Sequence, residues 1–126
     1  MSRKILVADD DAAMLNIYGR IFAGTGHTLS KAASFAEAER LINSNTYDLL
    51  ITDLLLQDGV GTDLIKLFEE KKAGAKSLLV TGSVHEVAPE ALPAVYFEKP
   101  FNLQAFMEAV EAALGVLPSP GDPQAA

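Results

Sequence analysis

Short, unbroken apolar runs that stop at acidic residues constrain this chain more than any other feature. Ile5-Leu6-Val7-Ala8 runs into Asp9-Asp10-Asp11, and Leu49-Leu50-Ile51-Thr52 runs into Asp53. A continuous rather than alternating apolar pattern predicts a strand buried on both faces, as in a parallel sheet covered by helices. Ser77 to Thr81 reads as a further buried strand, Thr28 to Ala32 as a weaker one, and Val95-Tyr96-Phe97 as the fifth. Helical spacing fills the intervals. Met14, Leu15, Tyr18, Ile21 and Phe22 recur on one face before Gly24 and Gly26. Ser34 with Glu37 is a capping box ahead of Ala38, Leu41 and Ile42. A loop holding Gly59 and Gly61 precedes Leu64, Ile65, Leu67 and Phe68, with a charged face at Glu69, Glu70, Lys71 and Lys72.

Pro89 and Pro93 restrict any helix between Gly82 and Pro93 to about two turns, because proline cannot sit in a helix interior. Asn102 caps a last helix carrying Phe106, Val110, Ala113 and Leu114, which stops at Gly115. Strands alternating with helices predict an α/β fold with a parallel sheet and right-handed crossovers. The 126 residues suit one domain, expected over 1–115. Residues 116–126, rich in proline and small side chains, read as a flexible tail or truncated linker.

Composition excludes several functions. A formal net charge of −7 disfavours direct binding to nucleic acid, which requires a basic face. The absence of cysteine excludes disulfides, thiolate metal sites and a thiol nucleophile. No apolar run is long enough for membrane insertion, and the run after Lys4 is too short for a signal peptide, so a cytoplasmic location is expected. His27 and His85 lack ligand-spaced partners and read as surface residues.

In a doubly wound sheet, ligands bind beyond the carboxyl ends of the strands. Asp9, Asp10, Asp53, Thr81 and Lys99 occupy those ends, placing three carboxylates, a hydroxyl and an ammonium on one rim. Crowded carboxylates repel one another unless a cation lies among them. All-oxygen donors favour a hard ion such as Mg²⁺. A carboxylate beside such an ion can attack phosphorus and become an aspartyl phosphate, whose charge the hydroxyl and ammonium can meet. Asp11, directly before Ala12 and Ala13, reads instead as a helix cap.

The chain from about Lys4 to Leu114 resembles the receiver domains of two-component response regulators. The resemblance rests on Ile-Leu-Val-Ala-Asp-Asp-Asp at 5–11, Asp-Leu-Leu-Ile-Thr-Asp at 48–53, Leu-Val-Thr-Gly at 79–82 and Phe-Glu-Lys-Pro-Phe at 97–101. It implies a flavodoxin-like, doubly wound five-stranded parallel sheet of order 2-1-3-4-5. It implies Asp53 as phosphoacceptor, and Mg²⁺ held by Asp10, Asp53 and the Leu55 carbonyl, with Asp9 acting largely through water. Thr81 would hydrogen-bond the phosphoryl group and Lys99 pair with it, Tyr96 would serve with Thr81 as the switch, and the Lys99–Pro100 bond would be cis. The donor implied is a sensor histidine kinase or histidine phosphotransfer protein. A downstream protein partner and a phosphorylation-dependent dimer are also compatible with the resemblance.

Such a chain is not an enzyme in the ordinary sense; it would catalyse only its own phosphoryl transfer and slow dephosphorylation. Three departures stand out. Gln57 replaces the usual proline and should soften the loop after Asp53. Leu55 puts an apolar side chain near the path of attacking water. The Thr81–Lys99 span is shorter than usual for the family and holds Pro89 and Pro93, so a shortened fourth helix and mobility over Ser83 to Leu92 are expected.

Alternatives are weaker. A pseudo-receiver would not need the intact Asp9, Asp10, Asp53, Thr81 and Lys99 set. A phosphatase of the haloacid dehalogenase type would place an acid where Leu55 stands, and a dinucleotide-binding domain would carry a G-x-G-x-x-G after the first strand.

Overall fold

The computed structural model describes residues 3–72, 74–81, 96–98 and 102–115. Strands β1 (Lys4–Ala8), β2 (Thr28–Ala32), β3 (Leu49–Thr52), β6 (Lys76–Thr81) and β7 (Tyr96–Glu98) form one sheet. Its order is β2-β1-β3-β6-β7 with every neighbouring pair parallel. This is the expected doubly wound order, with the reversal between β1 and β3. Two further strands, β4 (Leu55–Leu56) and β5 (Gly59–Val60), pair with each other and stand outside the sheet. A plain loop is expected from the sequence here, and the hairpin corrects that expectation. Strands of two residues are too short to carry a period.

Helices α1 (Ala12–Phe22), α2 (Phe35–Ser44), α3 (Gly61–Lys71) and α4 (Leu103–Leu114) complete the described elements. The segment expected to hold a shortened helix, Gly82 to Pro93, and the predicted mobility of Ser83 to Leu92 lie outside the described residues.

Residues of β1 divide between two cores. Ile5 and Val7 join Tyr18, Phe22, Leu49, Ile51, Phe106 and Val110 under α1 and α4. Leu6 and Ala8 join Ala38, Ile42, Leu50, Leu64 and Phe68 under α2 and α3. Both faces of the strand are dry, which explains the unbroken apolar runs.

Helix ends follow side-chain chemistry. Asp11 accepts the Ala13 amide at 2.9 Å and starts α1, as expected. Ser34 accepts the Glu37 amide at 3.0 Å, while the Glu37 carboxylate accepts from the Ala33 amide at 2.8 Å. Asn102 caps α4 through the Ala105 amide at 2.9 Å, and α4 stops at Gly115, whose φ of 76° favours a residue without a Cβ.

His27 is not a surface residue. Its side chain is 5% exposed; Nδ1 accepts from the Arg3 amide at 3.3 Å, and Nε2 lies 3.3 Å from the Glu111 carboxylate. The ring ties the start of the sheet to α4. His85 lies outside the described residues.

Candidate functional site

The register builds the site. Ala8 pairs with Thr52, so Asp9 and Asp53, each one residue further, leave adjacent strands side by side. The Asp53 amide donates to the Ala8 carbonyl at 2.9 Å, extending the ladder to the acid itself. Across β1, the Asp9 amide donates to the Ala32 carbonyl at 3.0 Å. Each backbone is therefore held at the rim.

One carboxylate oxygen from each of Asp9, Asp10 and Asp53 lies within 4.8 Å of the others. Asp9 is fully buried, Asp53 half-buried and Asp10 exposed, so the cluster is a shallow cup open to solvent on one side. The Asp9 carboxylate accepts the Asp11 amide at 2.9 Å, which orients it. These are hard oxygen donors converging from two strands, a set suited to a small divalent cation that keeps part of its water shell.

Tyr18 on α1 lies in the core under α1 and α4, 1% exposed and 6.1 Å, centroid to centroid, from the Phe106 ring. Burial pushes the Tyr18 hydroxyl far above its ordinary pKa, and the negative charges of Asp9 and Asp53 push it further. The phenol therefore stays neutral. In the sequence Tyr18 reads only as one apolar position of a helix face.

Thr81 ends β6, two residues beyond Leu79, the partner of Thr52, which puts its backbone on the same rim. Tyr96 opens β7 opposite Leu79. Leu55, two residues past Asp53, opens the β4–β5 hairpin. The three acids thus come together, Thr81 ends β6, Tyr96 opens β7 and Leu55 lies in the hairpin, while Lys99 and Pro100 lie outside the described residues.

The hairpin carries a residue that sequence reasoning missed. The Asp58 carboxylate accepts the Phe35 amide at 2.7 Å and the Ala36 amide at 3.0 Å. These hydrogen bonds, that of Ala36 first and Phe35 second, hold the Asp58 carboxyl below the usual carboxylate range. No local signal marks such a contact, because donor and acceptor are separated by more than twenty residues.

Residues 5–111 match the model of the response regulator receiver domain family. The chain belongs to that family: it is a receiver domain of the two-component response regulators, in which this domain generally serves as a phosphorylation-dependent switch. It is 28% identical over 116 residues to the transcriptional regulatory protein GlrR of Escherichia coli, covering 87% of this chain but only 26% of GlrR. The chain thus spans about a quarter of the length of that regulator. Among solved structures it is similar to a CheY-like receiver domain protein from Methanospirillum hungatei, with 27% identity and a TM-score of 0.81. That likeness covers 91% of this chain and 95% of the other. It is also similar to the response regulator TrrA of Thermotoga maritima, solved in complex with Mg²⁺ and BeF, at 26% identity and a TM-score of 0.78. There the coverage is 88% of this chain and 98% of TrrA. Among the described residues, no helix is long and apolar enough to cross a membrane.

Proposed function

We propose that Asp53 is the phosphoacceptor of this receiver domain, with residues 1–115 as the working unit. The observation that carries the reading is the meeting of Asp9, Asp10 and Asp53 within 4.8 Å at the ends of two adjacent parallel strands. Asp53 is half-buried and backbone-anchored, which suits a nucleophile that must be both fixed and reachable. A carboxylate oxygen of Asp53 attacks the phosphorus of a phosphohistidine donor. The new P–O bond forms as the P–N bond breaks, and the electron pair leaves with the imidazole.

The donor set fits Mg²⁺, and the similar TrrA, solved in complex with Mg²⁺ and BeF, supports that reading. Asp10, Asp53 and the Leu55 carbonyl would hold the ion, with Asp9 acting through water. The ion, when bound, offsets the charge that accumulates on the phosphoryl oxygens. Thr81 meets the phosphoryl group as a hydroxyl donor and Lys99 as a cation, and Thr81 with Tyr96 relays the change to the partner-binding surface. The donor protein is a histidine kinase or a phosphotransfer protein. Leu55 shields the acyl phosphate from water, so loss of the phosphoryl group should quicken in Leu55→Asn; an unchanged rate would remove that role.

The test is incubation with Mg²⁺ and acetyl phosphate. The expected product is one acid-stable, base-labile phosphate, absent in Asp53→Asn. No labelling would favour a partner-binding pseudo-receiver, and continuous turnover of phosphate esters would favour a hydrolase.

A further inference from the structure

The β4–β5 hairpin has little that holds it together on its own. Only Leu55–Val60 and Leu56–Gly59 pair, around a turn of Gln57 and Asp58. Two-residue hairpin loops favour turns with positive φ at a central residue, because those match the twist of the strands. Among the described residues, no non-glycine residue has a positive φ, so Gln57 and Asp58 form a turn of the less suitable hand. An isolated two-stranded hairpin is marginal even with a favoured turn. The loop expected to be softened by Gln57 must therefore be held from outside.

Three attachments hold it. The Asp58 carboxylate spends both oxygens on the first two amides of α2, where the helix dipole favours negative charge. Ser34 takes the Glu37 amide of the same helix, so the two side chains divide the unpaired amides between them. Phe35 packs against the α-carbon of Gly59 so closely that an added Cβ would lie 2.5 Å from its ring. At the far side, the Gly61 amide donates to the Leu54 carbonyl at 2.6 Å.

We propose that Asp58 is a positioning residue for the cation site: by tying the hairpin to α2, it fixes where Leu55 presents its carbonyl beside Asp53. This rests on the reading of the acid cluster given above. The connection is covalent and short, since Asp53 and Leu55 are separated only by Leu54, a residue 1% exposed and locked in the core. Releasing Asp58 frees the turn end of the hairpin, and the carbonyl of Leu55 then samples orientations that do not face the acids. The hairpin clip supplies the conformational restriction that the loop does not get from a proline.

The experiment titrates Mg²⁺ alone into the labelled full chain and follows the backbone amides of Asp9, Asp10 and Asp53 by NMR. Asp58→Ala should weaken Mg²⁺ binding about tenfold, the effect typical of removing a group that orients a metal ligand. Asp58→Asn, which keeps one acceptor oxygen, should fall between that variant and the wild type. Ser34→Ala removes a cap from the same helix without touching the hairpin, and should keep the wild-type affinity. Wild-type affinity in Asp58→Ala, with shifted Phe35 and Ala36 amides proving the clip broken, would overturn the inference. Equal weakening in Ser34→Ala would also overturn it, since the effect would then belong to helix stability. A wild-type chain whose three acid amides do not respond to Mg²⁺ would instead overturn the reading of the acid cluster, and the inference with it.

Discussion

The two ends of the sheet treat charge in opposite ways. At the carboxyl ends of β1 and β3, three carboxylates converge within 4.8 Å. At the amino ends, acidic groups meet donors. Asp48 accepts the Lys4 amide at 2.8 Å and faces the Lys72 ammonium at 3.4 Å. Glu111 faces His27, which in turn accepts from the Arg3 amide. Lys71 donates to the Ile42 carbonyl at 2.8 Å, satisfying the carboxyl end of α2. One end is laced with ion pairs and hydrogen bonds, and the other gathers three carboxylates whose mutual repulsion a bound cation would relieve. Concavity alone would mislead: a hollow of about 180 Å³, floored by Ile42, Tyr47 and Phe68, opens at the amino end, away from the clustered acids. The chemistry of the donors, not the size of the hollow, locates the site.

The contrast can be broken most severely at Gly61. A Cβ there would overlap the Asp53 carbonyl oxygen, a backbone atom that cannot turn aside. Gly61→Ala should destabilise the domain by about 3 kcal/mol, the upper range for overpacking, measured by urea unfolding. It should also shift the Asp53 amide resonance; a neutral substitution would mean that the rim is more yielding than the close contact implies.

Mg²⁺ should add stability at the rim alone. At a concentration one hundredfold above its dissociation constant, binding to the folded state contributes about 2.7 kcal/mol. Asp10→Asn should lose most of that gain while being more stable than the wild type without metal, by up to about 1 kcal/mol. Thermal unfolding with and without a chelator checks both. A rim variant less stable in the absence of metal would contradict the account of repulsion.

At the other end the sign reverses. Glu111→Gln or His27→Ala should cost about 1–2 kcal/mol, as for a mostly buried hydrogen bond to a charged group, and Mg²⁺ affinity should not change. Unfolding and metal titrations on the same variants separate the two ends.

The smallest effect is in the pH profile. Hydrogen bonding from the Lys4 amide, the largest cause, followed after the opposing effect of burial by the bond and charge of Lys72, lowers the pKa of Asp48 from its ordinary 3.8. A carboxyl whose pKa is depressed by folding contributes stability that is present above its unfolded pKa and lost as pH falls through the folded one. Stability should therefore decline as acid is added below about pH 4, and Asp48→Asn should flatten that decline. An identical acid limb in the variant would remove Asp48 from the balance.

Local pattern and local chemistry are what the sequence by itself determined. Continuous apolar runs gave the buried strands, the Ser34–Glu37 box and the Asp11 and Asn102 caps gave helix starts, and the acids after β1 and β3 pointed to the rim. These signals are legible because each depends on residues a few positions apart, where period and capping geometry repeat from protein to protein. Only the tertiary structure decided that Asp58 holds α2, that His27 faces Glu111 across 84 positions, and that Tyr18 of α1 meets Phe106 of α4. Such contacts leave no pattern in the chain, because a carboxylate at a turn looks the same whether it meets water or a helix 22 residues away. The packing of α2 against the loop after Asp53 settles which of these it meets. That packing is where the resemblance of motifs ends and the particular geometry of this receiver domain begins.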